Sequence, residues 1–373
     1  MEPLFAMVKS EIARLITSGR YPVGSVLPPV EDLAALSQCS TGTVRRALAE
    51  LAIVGVVKGV QSKGTMVTKL PEAGRVCLLL SPDPHTNQLL QPEVYWALHR
   101  TGYHVDVVPR SGDLQDDLRR CEQIHGGPPG ADTLVMLEPV HSSGGWSSLL
   151  ETAARFPRRV AYAQNNRFRI PGTHLITTDH QQAARVVADH LLGLNHRRIA
   201  VVAGFNAQEH SFASDSAQQL RHLLEITGAT CFPIYLSGNP DQALYDMITQ
   251  RGVTAYWDLS DHRATFRVSD LQRRGLRIPD DVSIIGRFDT SWAPVCQPTL
   301  TSVSINPKGM AQAILAAVQS PPVDPLVQDI PMTCVAPLLV PRESTGPAPS
   351  LVSRKRRRHP KALEFQSSAI PAN

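Results

Sequence analysis

The sequence predicts an α/β protein: a small helical N-terminal unit closed by a hairpin, followed by a larger region of parallel sheets with helices on both faces. Three observations lead there. In residues 1–70, apolar residues recur at helical spacing in three short runs. From residue 76, apolar runs of strand length alternate with amphipathic stretches, which is the pattern of strands buried on both faces. At 373 residues the chain exceeds one ordinary core, and about 100–200 residues per domain allows two or three domains.

In the N-terminal unit, Phe5, Val8, Ile12, Leu15 and Ile16 share one face of a first helix that stops near Gly19. Tyr21-Pro22 and Gly24 make a loop. After Leu27-Pro28-Pro29, whose prolines suit a helix start, Leu33, Ala34 and Leu36 give a short second helix. A break at Gln38-Cys39-Ser40 precedes a third helix, capped by Ser40 or Thr41, that runs through Val44, Ala47, Leu48 and Leu51 to Gly55. Val56-Val57, a turn from Lys58 to Gly64, and Thr65-Met66-Val67 form a hairpin. The order is that of a winged helix-turn-helix.

On the third helix Thr41, Thr43, Arg45, Arg46 and Glu50 lie on or beside the outer face. A small, basic N-terminal half suits a major groove about 12 Å wide, and Lys58, Lys63 and Gly64 of the hairpin are placed to touch phosphates. An ordinary three-helix module with a solvated charged face is the plain alternative; the order of elements and the basic hairpin favour DNA. Charge distribution agrees, since residues 1–70 hold eight Lys/Arg against five Asp/Glu and residues 346–373 hold six against one, around a slightly acidic middle.

These residues resemble the winged helix of the GntR family. Ile16 with Gly19, Val23 to Pro28, Leu33-Ala34, Thr43-Val44-Arg45-Arg46-Ala47-Leu48 with Leu51, and Ser62-Lys63-Gly64-Thr65 carry the resemblance across residues 4–67. It implies binding to double-stranded operator DNA. Two positions depart: Pro29-Val30-Glu31 stands where the family has Ser-Glu-Arg, putting an acid in place of a DNA-contacting cation, and Cys39 replaces a valine of the turn. The acid implies weaker binding or a different operator.

Residues 70–75 read as a linker between a DNA-binding domain at 1–69 and an effector and dimerisation domain at 76–342. Strand candidates are Val76–Leu80, His104–Val108, Thr133–Leu137, Val160–Ala163, Ile199–Val202, Phe232–Tyr235, Ala255–Trp257 and Ser283–Gly286. Gln181–Leu192, Ala217–Ile226 and Arg263–Arg274 are amphipathic helices between them. Ligands of open α/β sheets sit beyond the carboxyl ends of the strands. The residues there include Pro82 to His85, Glu138, Gln164 to Asn166, Asn206, Ser260-Asp261 and Phe288 to Trp292. Short polar side chains with a few aromatics suit a hydroxyl-rich ligand, and His85, Asn165, Asp261, Asp289 and Trp292 are the candidate contacts. For any one of them, ordinary loop polarity is the competing reading.

A second resemblance bears on this region. Thr178-Asp179, Ala183-Ala184, Leu194 to Ala200, Ser260-Asp261, Gly275 to Ser283, Phe288-Asp289 and Pro298 to Val303 resemble the effector core of LacI/GalR repressors and periplasmic binding proteins, densely from about residue 175 to 320. It implies a two-subdomain, periplasmic-binding-like domain with a sugar in its cleft, and it makes Asp261 and Asp289 effector-contacting or cleft-lining. Three features depart. Arg287 is added within the usual G-F-D, Ser216 or a neighbour stands where the family places an effector-binding arginine, and Gln219-Leu220 replaces a glycine-aromatic pair.

Other classes are disfavoured. No window approaches the roughly 20 apolar residues of a membrane span, and the first residues lack the basic and apolar regions of a signal peptide, so a cytoplasmic location is expected. Six scattered cysteines without a C-x-x-C predict reduced thiols. Neither nucleotide-phosphate motif occurs, no H-x-x-x-H or H-E-x-x-H pair is present, and there is no nucleophile elbow. No enzyme activity, metal or cofactor is expected. Residues 343–373, with Arg354–Arg358, read as a basic disordered tail that adds DNA affinity or only solubility. Together these features lead to a dimeric, sugar-responsive repressor. The alternatives are a soluble sugar-binding protein and a regulator that no longer takes a ligand.

Overall fold

The computed structural model describes residues 3–17, 19–69, 71, 73–128, 130–138, 146–164, 170–204, 212–327 and 329–349. Asn165 and residues 350–373 lie outside them. Apolar residues four apart build α1 (Leu4–Thr17), burying Val8, Ile12 and Ile16 on one side. α2 (Val30–Leu36) and α3 (Thr41–Ile53) meet across a tight turn where Gln38 takes a left-handed φ of 49°. The Ser40 hydroxyl accepts from the Thr43 amide at 3.2 Å and caps α3. Val44, Ala47, Leu48 and Leu51 of α3 pack with the buried faces of α1 and α2.

β1 (Val57–Val60) and β2 (Gly64–Val67) pair antiparallel with Val57 opposite Val67. Both of these valines are buried, which pulls their neighbours into register. Lys58 therefore lies on β1 opposite Met66, not in the turn expected from residue 58. The turn is made by residues 61–63, where Ser62 is left-handed.

The chain then alternates strand and helix. β3 (Gly74–Leu79), α4 (Pro84–Arg100), β4 (Tyr103–Val108), α5 (Leu114–Gly126), β5 (Thr133–Leu137), α6 (Trp146–Arg155), β6 (Arg158–Tyr162) and β7 (Thr173–Thr178) come first. The chain next enters a second unit with α7 (His180–Gly193), β8 (Arg198–Val202), α8 (Phe212–Ile226), β9 (Thr230–Ile234), α9 (Pro240–Thr249), β10 (Ala255–Trp257), α10 (Asp261–Arg273), β11 (Ser283–Phe288), α11 (Trp292–Val295) and β12 (Thr301–Ser304). It returns to the first unit for α12 (Pro307–Gln319) and β13 (Met332–Val335), and ends in the second with β14 (Leu338–Val340).

In the first unit the strand order is β13-β7-β6-β5-β3-β4, every pair parallel. In the second it is β14-β12-β11-β10-β8-β9, parallel except for β14, which runs antiparallel to β12. The central strands β3, β5, β8 and β10 are almost continuously apolar and buried; Leu134 to Leu137 and Ile199 to Val202 have no exposed surface. That is what coverage by helices on both faces requires. All eight expected strands form, and β3 begins at Gly74, inside the expected linker.

The segment after β14 differs from expectation. Residues 343–349 are tied to the second unit, although they carry no apolar periodicity. Ser344 is fully buried; its Oγ donates to the Ile284 carbonyl at 2.6 Å and accepts the Thr301 amide at 2.8 Å. His196, equally buried, reaches the Gly346 carbonyl through Nε2 at 3.0 Å, and the Ala348 amide donates to the Leu194 carbonyl at 2.8 Å. Hydroxyls and carbonyls hold this stretch, so hydrophobic patterning does not reveal it. No helix among the described residues is long and apolar enough to cross a membrane.

Candidate DNA interface and effector site

The helical periodicity that buries Val44, Ala47, Leu48 and Leu51 leaves Thr41, Gly42, Arg45, Arg46 and Ala49 exposed on the other side of α3. Thr43 is half-buried, and its Oγ1 shares a hydrogen bond of 2.9 Å with Ser40 Oγ. It therefore helps to hold the helix start. Arg45 projects from the exposed face, whereas the guanidinium of Arg46 lies over the Phe5 ring of α1, 3.8 Å from its centroid. Phe5, on the expected apolar face of its helix, is half-buried beneath this cation.

Lys58, Lys63 and Gly64 are all exposed on the hairpin. Gly64 has φ 95°, which a side chain would strain, and an added Cβ would stand 3.3 Å from Val26. Glu31 is exposed in the first turn of α2, where an acid favours the helix end but repels a phosphate. The winged helix thus presents basic groups on α3 and the hairpin with two acids, Glu31 and Asp32, on α2.

At the carboxyl ends of the first unit's strands, the polar groups converge on Glu138. Asp83 caps α4 by accepting from the His85 and Thr86 amides at 3.2 and 3.0 Å. The Thr86 hydroxyl reaches Asp83 at 2.8 Å and Glu138 at 3.2 Å, and Gln164 Nε2 donates to Glu138 at 3.1 Å. Glu138 takes a left-handed φ of 45°, uncommon for a side chain of its size. His85 lies exposed at the second position of α4.

In the second unit Asp261 opens α10 with 1% exposure. Gly286 and Ser302 are register partners on β11 and β12, and the missing side chain at Gly286 makes room for the Asp261 carboxylate, which a Cβ there would strike. Ser302 Oγ donates to Asp261 Oδ1 at 2.5 Å, and the Thr290 amide and hydroxyl donate to Oδ2 at 2.6 and 3.1 Å. Burial pushes this carboxyl up to about 6, while the Ser302 and Thr290 hydrogen bonds pull it back.

Asp289 is left-handed at φ 56°, donates its amide to Ser302 Oγ at 3.1 Å and pairs with Arg342 at 2.6 Å. The two expected aspartates thus meet around one serine, Asp261 through its carboxylate and Asp289 through its amide, and each carboxylate is already engaged within the protein. Trp292 stands elsewhere, its ring 5.0 Å from His262, which also meets Phe266 at 4.8 Å. Asp258, fully buried beyond β10, accepts from Tyr256 Oη at 2.7 Å and Arg263 Nε at 3.2 Å; burial raises its carboxyl, and Arg263 opposes that.

Glu138 and Gln164 follow strands and belong to the expected region, but selecting His85 from it missed the residues that converge; Asn165 lies outside the described residues. Thr86 gave no signal of its own, and Ser216 and Arg287 registered only as departures from the family pattern.

Residues 4–67 match the model described as bacterial regulatory proteins, gntR family, and residues 188–345 match the periplasmic binding protein-like domain. The chain joins a gntR-family winged helix to a periplasmic binding protein-like domain. Over 325 residues, covering 81% of this chain and 86% of the other, it is 24% identical to the arabinose metabolism transcriptional repressor of Geobacillus stearothermophilus. Among solved structures, a LacI transcriptional regulator from Rhodococcus species superposes with a TM-score of 0.58 at 21% identity, over 74% of this chain and 100% of that one. A LacI family regulator from Arthrobacter sp. FB24 in complex with lactose gives 0.54 at 18%, over 73% and 99%. The likeness to these structures is one of fold.

Proposed function

We propose that the chain is a transcriptional repressor that binds double-stranded operator DNA through its winged helix and loosens when a sugar binds its periplasmic-binding-like part. The single observation that carries this reading is the exposed face of α3. Thr41, Arg45 and Arg46 lie opposite its buried apolar stripe, which shares one small core with the lysine-bearing hairpin. The related arabinose repressor and the lactose complex make a sugar the natural effector class. The polar carboxyl-terminal edges around Glu138 and Asp261 supply acceptors and donors for hydroxyls. The protein acts in the cytoplasm, without catalysis or a cofactor.

A homodimer would present two recognition helices about one turn of DNA apart. Its support is a patch on α10 and α11 where Phe266, Trp292 and Val295 are 58%, 37% and 69% exposed beside His262. That patch suits the same apolar face of a second copy, so Trp292 serves there in preference to stacking on a sugar.

The test is an anisotropy titration on operator DNA selected by the chain from a random library, repeated with arabinose, ribose, lactose, cellobiose and sucrose. One sugar is expected to lower operator affinity by about 5–150-fold, with DNA weakening that sugar by the same factor. If no sugar moves the curve, effector control is lost from the reading. The internal engagement of both Asp261 and Asp289 favours one alternative, a regulator that takes no ligand. The exposed Glu31 favours another, a sugar-binding protein with an idle DNA module. A sugar-dependent rise in melting temperature with no change in DNA affinity on Arg45→Ala plus Arg46→Ala marks the latter.

A further inference from the structure

A guanidinium is among the most costly groups to bury, yet Arg287 is 1% exposed. It stands next to last on β11, at the strand end where ligands of open α/β sheets gather. Strand alternation turns Gly286 toward Asp261 and α10, and turns Arg287 to the opposite face, toward α7 and α8. There Nη1 donates to Ser216 Oγ at 3.1 Å and Nη2 to His180 Nδ1 at 2.8 Å, with the Phe288 ring centroid 5.6 Å away. Two donors of one planar fork are thus spread over two neutral acceptors on neighbouring helices.

We infer that Arg287 anchors the effector and sets its specificity, its fork donating to two adjacent oxygens of a sugar. This rests on the sugar-controlled reading and deepens it. A hydroxyl that replaces Ser216 or His180 as acceptor exchanges one neutral partner for another. The guanidinium is already out of water, so ligand binding does not add its desolvation. Planarity matters because adjacent sugar oxygens match the spacing of the fork, as carboxylate oxygens do.

The geometry also joins two departures that look unrelated along the chain. A small hydroxyl occupies 216, at or beside the place where the resemblance implies an arginine, and an extra arginine occupies 287. The Nη1 to Ser216 contact puts the guanidinium of the second directly beside the hydroxyl of the first.

Thermal-shift and calorimetric titrations of the full chain with arabinose, ribose, lactose, cellobiose and sucrose test this. The parent is expected to be stabilised by one of them, and Arg287→Met to bind that sugar about tenfold or more weakly. Arg287→Lys keeps the charge and stem but not the fork, so it is expected to lose affinity similarly. It decides the matter should Arg287→Met lose its cooperative ligand-free melt. Parent-like affinity in a folded variant overturns the inference while leaving sugar control standing. A parent that responds to none of the five sugars overturns both.

Discussion

The guanidinium of Arg46 on α3 rests on the ring of Phe5 on α1, 3.8 Å from its centroid. The contact fixes where one of the two exposed arginines of the recognition helix points. An exposed stack of this kind is worth about 0.5–1 kcal/mol. Phe5→Leu is therefore expected to weaken operator binding by about two- to fivefold without changing the melting temperature appreciably. Undiminished binding in an anisotropy titration would mean that Arg46 needs no such support.

Glu31 and Arg45 should act with opposite sign. Each phosphate contact steepens the dependence of log affinity on log salt by about one. Arg45→Ala should weaken binding and flatten that slope, whereas Glu31→Arg, on the exposed first turn of α2, should tighten binding and steepen it. Titrations between low and moderate salt measure both.

Asp261 makes stability depend on pH in a defined direction. Its folded carboxyl is raised from 3.8 to about 6, chiefly by burial. The folded state therefore holds the proton over a range where the unfolded chain has released it. The contribution is fully present below about pH 4 and is lost as pH rises through about 6, on the order of 2–3 kcal/mol in all. Asp261→Asn should remove this component, so the parent's melting temperature should fall relative to the variant's between pH 4 and 6. Parallel curves would refute the assignment.

Ser344 holds the segment after β14 to the second sheet through Ile284 and Thr301. Ser344→Ala leaves the Ile284 carbonyl and the Thr301 amide without that hydroxyl, at about 1–3 kcal/mol. The expected result is a fall of several degrees in the melting transition. A chain stopped after Arg342 should fall further, and one stopped after Pro349 should melt like the parent.

The sequence was most legible where burial on both faces forces long apolar runs. β5 and β8 are such runs, and both stand where expected. β7 and β12 are hidden because they read as Thr-His-Leu-Ile-Thr-Thr and Thr-Ser-Val-Ser, with buried hydroxyls in place of aliphatic side chains. β13 and β14 lie in a stretch broken by prolines. The winged helix was legible nearly residue by residue, since its face, cap and hairpin are local. The effector region was not, because its contacts are distant in sequence: Arg287 meets Ser216 71 residues away, and Thr86 meets Glu138 52 away. Spacing can nominate the ends of strands, but not the pairs that meet there.

The crossovers of the chain decide when each sheet can be completed as segments leave the ribosome. Both large sheets are completed by pieces that come after residue 300: β12 and β14 in one, β13 in the other, with α12 between them. The winged helix is finished by residue 67. During translation a DNA-binding head can therefore fold while neither sheet of the sensor can close. A product released early would keep that head and lack the means to be switched off.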